Sequence, residues 1–255
     1  MKIATWNVNS IRARLPRVLA WLEAARPDAA CLQELKCTDE AFPRAEIEAA
    51  GYRAAVFGQK TYNGVALLAR TEPTDVVRGL DDGVEDPQSR VLAGTVAGVR
   101  VVCVYAPNGQ EVGAPAYGYK LDWFRRLRGY LDRRHRPEEK LVVCGDFNIA
   151  PEARDVYNPA ALEGQVLCSQ PERDALANLC AFGLADTFRK HHAEAGLYSW
   201  WDYRMLGFPK NHGLRIDHLL ATPPMLAACT AAGIDREARK GKQPSDHAPV
   251  TADFS

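Results

Sequence analysis

The 255-residue sequence has no net charge, with 32 lysines and arginines set against 32 acidic residues. A polybasic nucleic-acid binder of the histone kind therefore finds no support, although an enzyme meeting a phosphate backbone on one local basic face does not need net charge. No apolar run approaches the ~18 residues of a membrane span, so no membrane partner is expected. The opening Met-Lys-Ile-Ala-Thr-Trp-Asn lacks an apolar h-region and is not read as a signal peptide. No low-complexity tract, internal repeat or long linker interrupts the chain, which predicts one compact domain over residues 1–255. Seven cysteines, an odd number without paired spacing, read as reduced thiols of a cytoplasmic protein. There is no phosphate-cradling glycine loop and no Gly-x-Ser-x-Gly elbow, which argues against triphosphatase and serine-hydrolase chemistry. His191 and His192 lack partners at zinc spacing.

What is present is an ordinary globular balance, 47% hydrophobic and 25% charged, long enough to bury a core without disulfide or metal staples. Short strands alternate with a few helices. Strands are predicted at 2–8, 29–33, 65–69, 91–96, 99–105, 141–144, 214–221 and 250–254. Leu15, Val18, Leu19 and Leu22 fall at helical spacing, with Pro16 in the first turn. A long amphipathic helix is predicted over 119–136, and Ser169-Gln170-Pro171-Glu172 is a capping box that opens another ending before Gly183. Asn63-Gly64 and Ala97-Gly98 read as hairpin turns. Irregular alternation with frequent hairpins points to the α/β class, with mixed sheets covered by helices.

Asn7, Glu34, Tyr105, Asn108, Asp146, Asn148, Asp217, Asp246 and His247 stand at the ends of these strands. Singly, each has an ordinary reading: a solvated glutamate, an Asx turn at 145–148, a satisfied core histidine. Asp217, inside the otherwise apolar Leu214–Leu220, must be paired or hydrogen-bonded. Together they are the inventory of an oxygen-ligand site with an acid–base pair, and such ligands suit Mg²⁺ or Mn²⁺.

At these residues the sequence resembles the exonuclease III family of abasic-site endonucleases, within the endonuclease/exonuclease/phosphatase superfamily. Eight motifs carry the resemblance in order: 5–10, 32–36, 62–66, 105–109, 145–151, 199–204, 213–218 and 245–250. It implies a four-layer α/β/β/α sandwich of two facing mixed sheets covered by helices. It implies a Mg²⁺-dependent enzyme, with Mn²⁺ as substitute, that cuts double-stranded DNA 5′ of abasic sites and trims damaged or normal 3′ ends; nothing in the sequence demands a dimer, and a monomer is expected. In that frame Glu34 is the principal metal ligand with Asn7 and Asp246 nearby. Asp146 orients or deprotonates the attacking water, and Asn148 holds the nucleophile or a phosphate oxygen. His247, paired with Asp217, contacts the scissile phosphate, and Tyr105 reaches the same region, with Asn108 beside it.

The superfamily also includes enzymes acting on inositol phosphates and sphingomyelin, so the substrate must be read from the loops. Trp200, Leu214 and Ile216 match positions that line a small pocket for a flipped abasic sugar. Trp201 alternates with Trp200 and is expected to face the core. Arg12, Arg14, Lys36, Lys210, Arg215, Arg236, Arg239, Lys240 and Lys242 are expected to form a basic rim. The arginines between 125 and 136 read as a solvated helix face, and Asp81–Asp86 as a loop. Leu167 is bulkier than the small residue expected in a strong abasic-site endonuclease, which leaves open a 3′-end cleaner with little abasic incision. A non-DNA phosphoesterase and a catalytically silent nucleic-acid-binding relative are the remaining alternatives.

Overall fold

A computed structural model describes residues 1–255. Along its first strand, β1 (Lys2–Asn7), Ile3 points to one apolar layer and Ala4 and Trp6 to another. This two-residue alternation recurs in every central strand and decides the architecture. The chain continues through α1 (Ile11–Ala25), β2 (Ala29–Gln33), α2 (Arg44–Ala49), β3 (Arg53–Phe57), β4 (Val65–Ala69), β5 (Thr74–Arg78), β6 (Val91–Val96) and β7 (Val99–Tyr105). Next come α3 (Pro115–Arg134), β8 (Leu141–Asp146), α4 (Pro159–Leu162), α5 (Gln170–Cys180), β9 (Ala185–Asp186) and α6 (Thr187–His191). It closes with β10 (Trp200–Trp201), β11 (Gly213–Leu214), β12 (Asp217–Ala221), α7 (Pro223–Ala228), β13 (Cys229–Ile234) and β14 (Val250–Phe254).

Two six-stranded sheets run β13-β14-β1-β2-β4-β3 and β5-β6-β7-β8-β12-β9. Each has one parallel pair at its centre, β1 with β2 and β7 with β8, and antiparallel pairs elsewhere. A parallel pair needs a crossover, and α1 and α3 supply the two. Ile3, Cys31 and Leu67 of the first sheet meet Val101, Cys103 and Val142 of the second in a shared inner layer. The outer face of the first sheet is covered by α1 and α2 through Val18, Leu22 and Ile47, and that of the second by α3 and α5 through Phe124, Leu127 and Leu176. This is the four-layer α/β/β/α sandwich. No helix is long and apolar enough to cross a membrane.

Three local expectations are corrected. The first helix starts at Ile11, capped by the Ser10 hydroxyl, which puts Pro16 inside it rather than in its first turn. The strand expected over 214–221 is two: Leu214 pairs with Trp200, whereas Asp217 pairs with Asp146, and between them the Arg215 N–H turns to the Asp155 carbonyl. Arg126, expected on a solvated face, is buried on α3 with its guanidinium on Asp82 and Asp86. It shares the stripe of Trp123, Leu127 and Tyr130, so helical geometry carries it inward. The capping box on α5 forms as expected, with Ser169 and Glu172 bonding reciprocally.

Candidate active site

The polar cluster is the continuation of the apolar inner layer. On β8, Val142 and Cys144 face the opposite sheet and Asp146 follows on the same side; on β7, Val101 and Cys103 precede Tyr105; on β12, Asp217 precedes Leu219. Tyr105, Asp146 and Asp217 lie in one row across three neighbouring strands. Asn7 ends β1 in the facing sheet. Gly145 allows the row to form: a Cβ there would lie 1.8 Å from the Val104 carbonyl oxygen, so only glycine fits.

The Asn7 amide spans the two sheets, donating to Glu34 Oε1 at 2.7 Å and Asp146 Oδ2 at 3.0 Å. Glu34 Oε1 also accepts from the Tyr105 hydroxyl at 3.0 Å, and Lys36 Nζ lies 2.9 Å from Oε2. Burial disfavours the Glu34 charge, but Asn7 and Lys36 outweigh it and hold the carboxyl below its usual range. Asp146 Oδ1 accepts the Asn148 N–H at 2.9 Å. Behind them, His247 Nδ1 sits 2.9 Å from Asp217 Oδ2, and that oxygen also accepts from the Ser199 hydroxyl at 2.6 Å. His247 Nε2 is therefore left facing Asp146, 3.8 Å from Oδ2. Burial pushes Asp146 up to about 7 despite His247 nearby. Burial opposes a charged His247, yet Asp217 and Asp146 raise it to about 10. The two carboxylates thus favour the protonated imidazole. Glu34 and Asn148 both hold left-handed backbone, φ 53 and 51, the kind of strain that gathers at functional sites.

Beside the charges lies a small apolar wall. Leu167, Leu214, Ile216, Val156 and Ala150 pack together and Trp200 leans on them, half-buried. Trp200 bridges to His247 through the backbone and donates its indole N–H to Asp246 Oδ2 at 3.0 Å. Trp201 faces the core, fully buried.

The endonuclease/exonuclease/phosphatase family model matches residues 4–247. The chain belongs to that family. It is 36% identical to exodeoxyribonuclease III of Haemophilus influenzae, with all of both chains covered, and 32% identical to the DNA repair nuclease APEX1 of Danio rerio, covering 98% of this chain and 81% of the relative. Among solved structures it superposes on the 3′-5′ exonuclease NExo of Neisseria meningitidis with a TM-score of 0.96 at 46% identity, each chain fully covered. An AP endonuclease from Archaeoglobus fulgidus gives 0.96 at 38%, covering 100% and 99%.

Within this family member, the ligand atoms of Glu34, Asp146 and His247 all lie within 4.8 Å of one another. Two hard carboxylates sharing one amide donor retain acceptor capacity at a largely buried spot, a donor set that fits a divalent cation. Asp246, expected near the metal, accepts from the Asn9 amide on Oδ1 and from the Trp200 indole on Oδ2, both at 3.0 Å, and so orients the indole. Arg215, expected on the substrate rim, is only 1% exposed and is spent on Asp155 and Asp186. Arg239 is likewise buried, over the Tyr203 and Phe208 rings. Arg12, Lys210, Lys240 and Lys242 remain exposed. Asn108 is exposed and reaches Asn148 Oδ1 at 3.3 Å. Sequence reasoning missed Ser199, Asn9 and Ser245 as organisers. Ser199 stands inside a motif it quoted, and the Ser245 hydroxyl ties the His247 loop to the Asn7 carbonyl at 2.7 Å.

Proposed function

We propose that this protein is a Mg²⁺-dependent DNA-repair phosphodiesterase that hydrolyses double-stranded DNA 5′ of abasic sites and removes nucleotides and blocking groups from 3′ ends, with Mn²⁺ able to substitute. The observation that carries the reading is the Glu34–Asp146–His247 group set against the apolar wall of Trp200, Leu214 and Ile216. The names of the relatives support it: they include a DNA repair nuclease, an AP endonuclease and a 3′ phosphatase bound to a product DNA hairpin. All seven cysteines are free, in keeping with work in the reducing cytoplasm.

In this reading Glu34, with Asp146 close by, would hold the cation, which would supply positive charge against the phosphate's growing negative charge. Asp146, with a pKa near neutrality, takes the proton from the attacking water. Asn148 keeps Asp146 in place through its N–H and orients the water or a phosphate oxygen. Asp217 holds the Nδ1 proton of His247, so that the cationic imidazole presents Nε2 to the phosphate as its charge grows. Tyr105 and Asn108 donate to the same region. Asn7 sets the spacing of the two carboxylates. A sugar without its base is small and partly apolar, which suits the apolar wall of Trp200, Leu214 and Ile216.

A second reading, a 3′-end cleaner with little abasic incision, is favoured by one feature: Leu167 stands in that wall, 8% exposed. The deciding experiment supplies Mg²⁺ and two end-labelled duplexes, one with an internal abasic site and protected 3′ ends, the other with a recessed normal 3′ end. A discrete cut in the first supports the endonuclease. A 3′ ladder in the second alone supports the cleaner. Silence on both, with DNA still bound, removes the phosphodiesterase reading.

A further inference from the structure

One buried ion pair outside the catalytic row touches three of the loops that build it. Lys120 of α3 and Glu172 of α5 are both 0% exposed, and their charged ends meet. The ammonium has three protons and uses each: on Glu172 Oε1, on the Asn148 carbonyl at 2.6 Å and on the Asn108 carbonyl at 3.0 Å. Glu172 in turn accepts the Leu167 N–H on Oε1 at 3.0 Å, and the N–H and hydroxyl of Ser169 on Oε2 at 3.1 and 2.6 Å. Leu167 sits at φ 73, a left-handed turn that an ordinary leucine avoids. Its own carbonyl accepts from Ala150 at 2.8 Å, returning to the loop that carries Asn148.

A buried ion pair is poor value for stability alone, because desolvation consumes most of the attraction and an apolar pair of like volume often serves as well. What an apolar pair cannot do is satisfy two loop carbonyls and a strained turn at once. We propose that Lys120–Glu172 is a positioning pair of the active edge, its ammonium fixing Asn148 and Asn108 and its carboxylate fixing the Leu167 turn. One point then sets both the chemistry and the width of the sugar pocket. This rests on the phosphodiesterase reading above.

The test compares the parent with Lys120→Met and Glu172→Gln on the two duplexes just described, with kcat and KM separated and the thermal midpoint recorded. The expected result for Lys120→Met is a kcat lower by about tenfold or more on both duplexes with KM little changed, since a small misplacement of Asn148 acts on the transition state. Glu172→Gln keeps the shape but turns an N–H₂ toward Ser169, and is expected to shift the ratio of abasic incision to 3′ trimming by about threefold, the size of effect that a modest change of pocket fit produces. A purely structural role lowers the midpoint and leaves kcat, KM and the ratio per folded molecule at parental values; that result overturns the proposal. Should Lys120→Met not fold, Glu172→Gln decides alone. If neither folds, the pair is a folding element and the proposal falls. An inactive parent removes the phosphodiesterase reading and the pair with it, whereas an active parent with unmoved variants removes only the pair.

Discussion

Arg215 and Asp217 stand two residues apart, both buried, and belong to opposite kinds of charge cluster. Around Arg215 the charges balance: its guanidinium meets Asp155 Oδ1 at 2.6 Å and Asp186 Oδ2 at 2.7 Å, and Arg189 closes on Asp155 from the other side. Around Asp217 they do not. Asp217, Asp146, Glu34 and Asp246 surround one imidazole, and Lys36 is the single further cation paired to the group. The first cluster pairs each acid with a guanidinium and fastens the segment that carries Leu214 and Ile216. The second keeps acceptors in hand, which costs the fold and suits a site awaiting a divalent cation and a phosphate.

The largest effect that separates the two is catalytic. Asp146→Asn keeps the shape of the row and removes one of its excess charges. Turnover on either duplex is expected to fall by roughly 10²–10⁴-fold, the worth of a positioned base, while DNA affinity stays near the parent's and folding stability is not lowered. Gel-shift binding and urea unfolding beside the nuclease assay check this, and undiminished turnover would take Asp146 out of the mechanism.

The mirror experiment breaks the balanced cluster. Arg215→Met leaves the buried Asp155 with Arg189 alone and takes the guanidinium from the half-buried Asp186, which costs about 3–5 kcal/mol of stability, with turnover per folded molecule little changed. Burial disfavours the Asp155 charge, but Arg215 and Arg189 outweigh it and hold the carboxyl below its ordinary range. A group whose pKa is depressed on folding adds stability above its unfolded value, and the contribution fades as pH drops through the folded one. The gap between parent and variant is therefore expected to be full at neutral pH and to shrink below about pH 4, the ordinary aspartate value. Denaturant midpoints across that range test it, and a gap that widens in acid would mean that Asp155 is not the partner.

Glu34→Ala probes the unbalanced side more gently. It removes one carboxylate from the ligand group but leaves Asp146, so the metal concentration for half activity is expected to rise by roughly 10–100-fold, the scale of a lost metal-site contact. A Mg²⁺ titration of initial rate measures the shift, and an unmoved midpoint would place the cation elsewhere.

The unbalanced cluster was legible in the sequence because its residues end strands, where alternation fixes the face. Asp146 follows Val142 and Cys144 by two-residue steps, and Asp217 interrupts an apolar run, so both announce themselves. The balanced cluster was not legible. Asp155 and the Asp186–Arg189 turn are two segments distant in sequence that only tertiary packing brings to Arg215, and a lone arginine beside a motif reads as a DNA contact. Asp246 was legible only in part: the sequence shows a carboxylate beside His247 but not the Trp200 indole that donates to it. Lys120 and Arg126 did leave a trace, since each falls on the apolar stripe of α3, spaced with Tyr117, Trp123 and Leu127. A charge on such a stripe needs a buried partner, and the partner lies 52 residues away for Lys120 and 44 for Arg126. Periodicity alone cannot supply it.

The smallest expected effect lies where the two clusters meet the apolar wall. Leu167 shares that wall with Leu214 and Ile216, the two residues on which the balanced cluster pulls from behind. Replacing it with glycine removes the side chain that narrows the pocket. At φ 73 glycine is also the residue the backbone prefers, so relief of strain offsets part of the lost packing and the variant should remain folded. Abasic incision is then expected to rise relative to 3′ trimming by a factor of about 10, the low end of what one methylene is worth in an apolar pocket. Asp146 and His247, untouched, should leave the 3′ rate near the parent's. The ratio of the two rates on the labelled duplexes is the measurement. If it is constant, the pocket's width is set by the Trp200 side of the wall and the preference between sugar and 3′ end has to be sought there.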